Sequence, residues 1–228
     1  NDILYDESQI EQGRNFGNKI WNAFRLITGW YVDASLEQSE ACAVAVRWFA
    51  NKLNAVAAEV NDHFAKFRIS DALMAAYKLF WDDFCAWYLE LVKPAYGSPI
   101  DAKTYEVTLE YFESLLKMIH PIMPFITEEL WHAVRERGEN ATIMFERYPV
   151  AGASDAKYIA DFNLACEVVA GVRNIRQQKG LSPREPLRLF LVGEWSKDLE
   201  AVVVKLANVS KIQHVTSVDD SLAGVSFM

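Results

Sequence analysis

Apolar residues recur at spacings of three and four from about residue 7 to residue 137, interrupted only by proline, glycine or short polar runs. That period belongs to the amphipathic α-helix, so the stretch predicts successive helices, each with one face to bury. The first opens on a capping box, Ser8-Gln9-Ile10-Glu11, and ends near Gly29, with Phe16, Ile20, Ala23, Phe24 and Ile27 toward a core. Ser35 with Gln38 repeats the capping signal before a second helix, whose core face runs Phe49, Leu53, Val56, Val60, Phe64 and Phe67. A third carries Leu73, Tyr77, Phe80, Phe84, Trp87 and Leu91 and stops at Lys93-Pro94; residues 94–101 read as a loop. The fourth runs through Tyr105, Leu109, Phe112, Leu116 and Ile119, and a corner at His120-Pro121-Ile122-Met123-Pro124-Phe125 leads into a fifth, ending near Arg137-Gly138. Short connections make neighbouring helices antiparallel, as in a bundle. An aromatic content of 13% supplies large core side chains, Trp81, Trp87 and Tyr88 among them.

Beyond residue 138 the character changes. Ala141-Thr142-Ile143-Met144-Phe145 reads as a short extended run, and a long helix follows from about Ser154 to Lys179, before Gly180. Leu187 to Val192 is strand-like, Leu199 to Leu206 helical, and Lys211 to Val215 strand-like again, an alternation that suggests a small α/β unit. The expected fold is therefore mainly α: an antiparallel helix bundle over residues 1–150, then a small α/β subdomain over 151–228.

Several function classes drop out on composition. The apolar runs are too short and too often interrupted to span a bilayer. Both ends look cut, the first at Asn1 and the last at the apolar Ala223 to Met228, so the expectation is a piece of a longer protein. Cys42, Cys85 and Cys166 are odd in number and far apart, which suits buried thiols in a reducing, cytoplasmic compartment. His63, His120, His132 and His214 have no ligand spacing, so no metal site is expected. Neither a nucleophile elbow, a phosphate-binding loop nor a dinucleotide fingerprint is present, and no catalytic residue is assigned. Asp82-Asp83 and Glu128-Glu129 read as solvated or helix-stabilising pairs.

What remains is basic. A net charge of −8 opposes broad, sequence-blind nucleic-acid binding but leaves room for a local patch. At ~100° per residue, Arg14, Asn18, Asn22 and Arg25 fall within roughly 80° of one another, with Lys19 and Trp21 at the margins. Guanidinium groups, amides, an ammonium and an indole on one helix surface suit phosphates and unpaired bases. The plainer reading is a solvated face with salt bridges. Arg173 and Arg176, with Gln177, share a side of the later helix, and Arg184 and Arg188 follow. For the first two, packing between the subdomains competes with RNA contact.

Four segments taken together stop looking generic. Gly13 to Arg25 resembles the first anticodon-domain helix of class Ia aminoacyl-tRNA synthetases. Trp81-Asp82-Asp83-Phe84-Cys85-Ala86-Trp87-Tyr88-Leu89-Glu90-Leu91-Val92-Lys93-Pro94 resembles the valyl-tRNA synthetase family in particular. So do His120 to Trp131 and Val172-Arg173-Asn174-Ile175-Arg176 with Gly180, all in the family's order and covering nearly the whole chain. The resemblance implies the tRNA-binding part of a valine–tRNA ligase, an enzyme that activates valine with ATP and esterifies tRNA. The family's ATP-binding signatures and editing domain are absent here, and its C-terminal coiled-coil arm would begin beyond Met228. The implied partners are the valine-accepting tRNA and the catalytic domain of the same chain. ATP is the parent's cofactor, with none in this piece, and a monomer with no membrane attachment is expected. Arg14, Asn18, Asn22 and Arg25 are the implied base readers, Lys19 a phosphate contact and Trp21 a stacking ring, with Arg173 and Arg176 as further contacts. The alternative is a bracing module of an isoleucyl-type relative, with tRNA held mainly elsewhere.

Overall fold

The computed structural model describes residues 7–193 and 195–216. Helix α1 (Glu7–Thr28) buries Phe16, Ile20, Ala23 and Ile27, with Phe24 half-buried beside them, as its periodicity requires. It starts one residue ahead of Ser8, so Ser8 lies in the first turn and the capping position falls outside the described residues. Helix α2 (Glu40–Ala65) is capped by Ser39, whose hydroxyl accepts from the Cys42 N–H at 3.3 Å. Ser35, expected to cap it, instead donates from its N–H and hydroxyl to Asp33 Oδ1 at 2.9 and 2.6 Å. Gln38 reaches across to Thr104 Oγ1 at 3.0 Å. Three polar residues within five positions compete for one cap, and the choice is made by the contacts of the incoming turn. Phe67, placed on the core face by periodicity, lies beyond the helix end and is exposed.

The third rod differs most from its sequence reading. It runs as α3 (Ile69–Lys78), a π-helical segment (Leu79–Tyr88) and α4 (Leu89–Val92), with αR backbone at both junctions. Leu79, Phe84 and Leu89, five residues apart, are all buried, which is the spacing an i→i+5 turn aligns. The wider turn rotates Trp81 and Trp87 to half-buried positions, while Tyr88 is fully buried. Thr108 spends its single hydroxyl proton on the Thr104 carbonyl (2.7 Å), so the Tyr88 hydroxyl donates to Thr108 Oγ1 (2.8 Å).

Strand β1 (Val32–Asp33) pairs in parallel with β2 (Ile100–Asp101), a short ladder that closes the end of the region read as loop. Asp101 then caps α5 (Ala102–Ile119), accepting from the Thr104 N–H at 2.7 Å. At the following corner Thr127 donates to the Met123 carbonyl (2.8 Å), leaving His120 Nδ1–H to donate to Thr127 Oγ1 (2.7 Å). Pro124 opens α6 (Pro124–Val134), where its missing N–H has no partner to lose. The expected extended run at 141–145 is instead a single 3₁₀ turn, Ile143–Phe145. Glu128 draws that segment in, accepting from the Thr142 hydroxyl (2.9 Å) and the Ile143 N–H (3.3 Å), so it is not merely solvated.

Helix α7 (Ala156–Lys179) is capped by Asp155 and ends at Gly180, whose φ of 64° is a left-handed backbone that glycine adopts freely. It lies on α2, with Phe162 stacked on Trp48 at 4.0 Å between ring centroids. Strand β3 (Leu187–Val192), helix α8 (Glu200–Ala207) and parallel strand β4 (Val209–Val215) form the expected small α/β piece. Buried residues of α7 and α8 join those of α1 to α6 in a single hydrophobic cluster.

Asp83 is the other departure from a solvated acid. It sits half-sunk beside Lys52 at 3.4 Å. Burial pushes its carboxyl up to about 6; Lys52 opposes the shift and Asp82 adds to it. Between the ordinary value of 3.8 and about 6, the folded chain holds a proton that the unfolded chain has lost. This group therefore favours folding more as pH falls from 7 to 5, by about 1 kcal/mol. Asp83→Asn is expected to remove that component. Urea unfolding at the two pH values checks it, and an unaltered pH dependence in the variant would reject the assignment.

Candidate nucleic-acid interface

The core side of α1 is set by Phe16, Ile20, Ala23 and Ile27, and Arg14, Asn18, Asn22 and Arg25 lie on the opposite side, all exposed. The structure thus brings together four residues that the helical period grouped, along about 16 Å of axis at 1.5 Å per residue. Arg14 pairs with Glu11 at 2.8 Å, but both side chains are more than half exposed. Such a pair contributes little and is readily exchanged for a phosphate. Among the described residues, the side chains of Asn18, Asn22 and Arg25 have no hydrogen-bond or ion-pair partner. Their donors and acceptors are presented to solvent.

The two marginal residues separate. Trp21 is 42% exposed and rests on Phe24, ring centroids 5.9 Å apart, leaving an open indole beside the polar face. Lys19 turns toward the third rod, its ammonium 5.1 Å from the Trp81 ring centre. Trp81 stacks on Tyr77 at 5.5 Å, so this flank of α1 is an aromatic wall held by a cation. Trp81, expected in the core, is half-buried at its margin together with Tyr77.

Arg173 and Arg176 are placed differently. Arg176 is 5% exposed. It donates to the carbonyls of Ser182 (2.8 Å), Ala207 (3.1 Å) and Asn208 (3.1 Å). Arg173 is exposed yet donates to the Leu206 carbonyl (3.2 Å), with its guanidinium 5.9 Å from the Trp87 ring. Leu206 and Ala207 end α8 and Asn208 is its C-cap, so two arginines of α7 satisfy the free carbonyls at the negative end of α8. As a nucleic-acid contact Arg176 is withdrawn, because its donors are spent inside the fold. No local pattern could have shown this, since the carbonyls of α8 that it binds lie 31 and 32 residues away in sequence.

Elsewhere the chemistry is quiet. Among the described residues no three His, Cys, Asp or Glu side chains gather into a metal-binding group. None of the described helices is long and apolar enough to cross a membrane. Cys42 and Cys166 are buried and Cys85 half-buried; burial pushes the Cys85 and Cys166 thiols up to about 12.

The sequence profile of the family described as the anticodon-binding domain of tRNA ligase matches residues 46–191, from within α2 to within β3. The chain is similar to a valine–tRNA ligase of Parabacteroides distasonis, at 50% identity over all of this chain and 26% of that protein. A valine–tRNA ligase of Porphyromonas gingivalis is 50% identical over 94% of this chain and 24% of its own length. One from Christiangramia forsetii is 43% identical over 98% and 26%. The chain spans about a quarter of the length of these curated relatives.

Proposed function

The chain belongs to the family of anticodon-binding domains of tRNA ligases, and from that premise we propose that it is the tRNA-gripping part of a valine–tRNA ligase. The observation that carries this reading is the outward face of α1. Two guanidinium groups and two amides stand on one side of a helix whose other side is locked into the core. An anticodon loop offers unstacked bases, and proteins take these by hydrogen bonds to base edges and by stacking on flat side chains. Arg14 and Arg25 supply planar forks for a base edge or a phosphate, and Asn18 and Asn22 supply a donor and an acceptor each. Trp21 offers its open ring at the border. Lys19, held over Trp81, adds positive charge at the opposite flank.

In the parent enzyme the chain would hold the valine-accepting tRNA while a separate domain uses ATP to attach valine. A cytoplasmic monomer fits this role. The profile match begins after α1, at Val46. With α1 outside the matched region, the alternative is that the bundle only braces the catalytic domain and tRNA is held elsewhere. Titration separates the two. The chain is expected to bind a stem-loop with a valine anticodon weakly, with affinity falling steeply as salt rises. A stem-loop altered at the middle base should bind more weakly. Equal binding to both, or none at low salt, would leave the bracing role.

A further inference from the structure

The turn between α2 and α3 carries a backbone conformation that its residue does not favour. Phe67 has φ 58°, the left-handed region that glycine occupies without strain and a bulky side chain avoids. Its surroundings explain the conformation but not the residue. The Phe67 N–H bonds to the Phe64 carbonyl (3.0 Å) and the Arg68 N–H to the His63 carbonyl (2.9 Å). This is the double closure of a Schellman ending, in which glycine is the usual occupant. The ring makes no return on that strain within the fold, being 89% exposed. Strain of this kind, held at an exposed aromatic residue, points to a use outside the folded chain.

Two cations flank the ring. Lys66 pairs with Asp62 at 2.6 Å, both side chains about half exposed. The Lys66 hydrogen bond holds the Asp62 carboxyl low, with a smaller share from Arg68, which makes no ion pair among the described residues. The turn leads into the rod that the Phe16 and Lys19 side of α1 meets. Phe16 meets Tyr77 (4.7 Å between ring centroids), Phe80 (5.7 Å) and Trp81 (6.5 Å), and Lys19 meets Trp81 (5.1 Å), so this flank of α1 faces the third rod.

We propose that Phe67, which lies within the matched anticodon-binding profile, is a stacking platform for an unpaired base of tRNA, with Arg68 and Lys66 meeting the flanking phosphates. A flat ring set between cations is the arrangement that binds single-stranded nucleic acid with little regard to sequence. The inference rests on the α1 reading above, and the test keeps the two apart.

The chain and its Phe67→Gly, Phe67→Leu, Phe67→Trp and Arg25→Ala variants are titrated with valine-anticodon tRNA, and their thermal midpoints are measured. Phe67→Gly and Phe67→Leu should each weaken binding roughly tenfold, within the range of one base–aromatic stack, while Phe67→Trp keeps it. Phe67→Gly should also melt at the same temperature or about 2–4 °C higher, because glycine relieves the strained turn. Full binding by Phe67→Gly, with Arg25→Ala weakened, would overturn the platform and leave the α1 reading intact. Full binding by Phe67→Leu would show a greasy contact of the kind a protein partner makes, and overturn it too. A lower midpoint for Phe67→Gly would assign the ring to packing. No binding by the unaltered chain would overturn both readings.

Discussion

Arg176→Ala is expected to destabilise the chain by about 3 kcal/mol, and to do so without a specific effect on tRNA. The wild-type guanidinium is buried and donates to three backbone carbonyls, two of them at the C-terminal end of α8. Truncation leaves the carbonyl of buried Ala207 without its partner, at about 1–3 kcal/mol for an unsatisfied group, while exposed Ser182 and Asn208 can turn to water. It also opens a void between α7 and α8. At about 2–4 °C per kcal/mol for a chain of this size, the thermal midpoint should fall by roughly 10 °C. Arg176→Lys should recover only part of the loss, since an ammonium cannot reproduce the fork that reaches three carbonyls. Thermal or urea unfolding measures the effect, and tRNA titration well below the midpoint completes the test. A variant of normal stability that no longer binds tRNA would return Arg176 to the interface.

The double substitution Arg14→Ala, Arg25→Ala should show the opposite profile. Both side chains are exposed, one loosely paired with Glu11 and the other without a partner among the described residues. Their removal should leave stability within about 0.5 kcal/mol, as for surface positions in general. Binding to valine-anticodon tRNA should weaken roughly a hundredfold, at about 1–3 kcal/mol for each lost bidentate contact by analogy with base readout in duplexes. The wild-type advantage should narrow at high salt if phosphates are part of the contact. A melting curve that collapses would place one of these arginines in the fold. Undiminished binding would move the tRNA elsewhere on the chain or off it.

The contrast between these arginines shows where the sequence stops informing. Arg14 and Arg25 could be grouped because they lie on the same helix, where azimuth follows from residue number alone. Arg173 and Arg176 obeyed the same helical rule and looked equally basic. Their actual partners are carbonyls of a helix that begins more than twenty residues later, so their role depends on how α8 docks. Caps behave similarly. Asp101, Asp155 and Ser39 all cap helices, but Ser35 and Gln38 carried the same signal and were drawn off by Asp33 and Thr104. The π-helical turn was illegible for another reason. An apolar segment fits a 3.6-residue and a wider period almost equally well, and only packing against the neighbouring helices chooses between them.

By itself the sequence determined the succession of helices, the strand–helix–strand alternation near the end, the buried side of α1 and the residues opposite it. Each of these follows from interactions spanning a few residues, which the chain order already contains. The tertiary structure alone decided which cations are free and which are consumed. It set Arg176 under the end of α8, turned Lys19 onto Trp81, sank Asp83 beside Lys52 and left Phe67 exposed on a strained turn. A charged side chain's role depends on what lies within about 4 Å of it, and in a folded chain those neighbours come from distant segments.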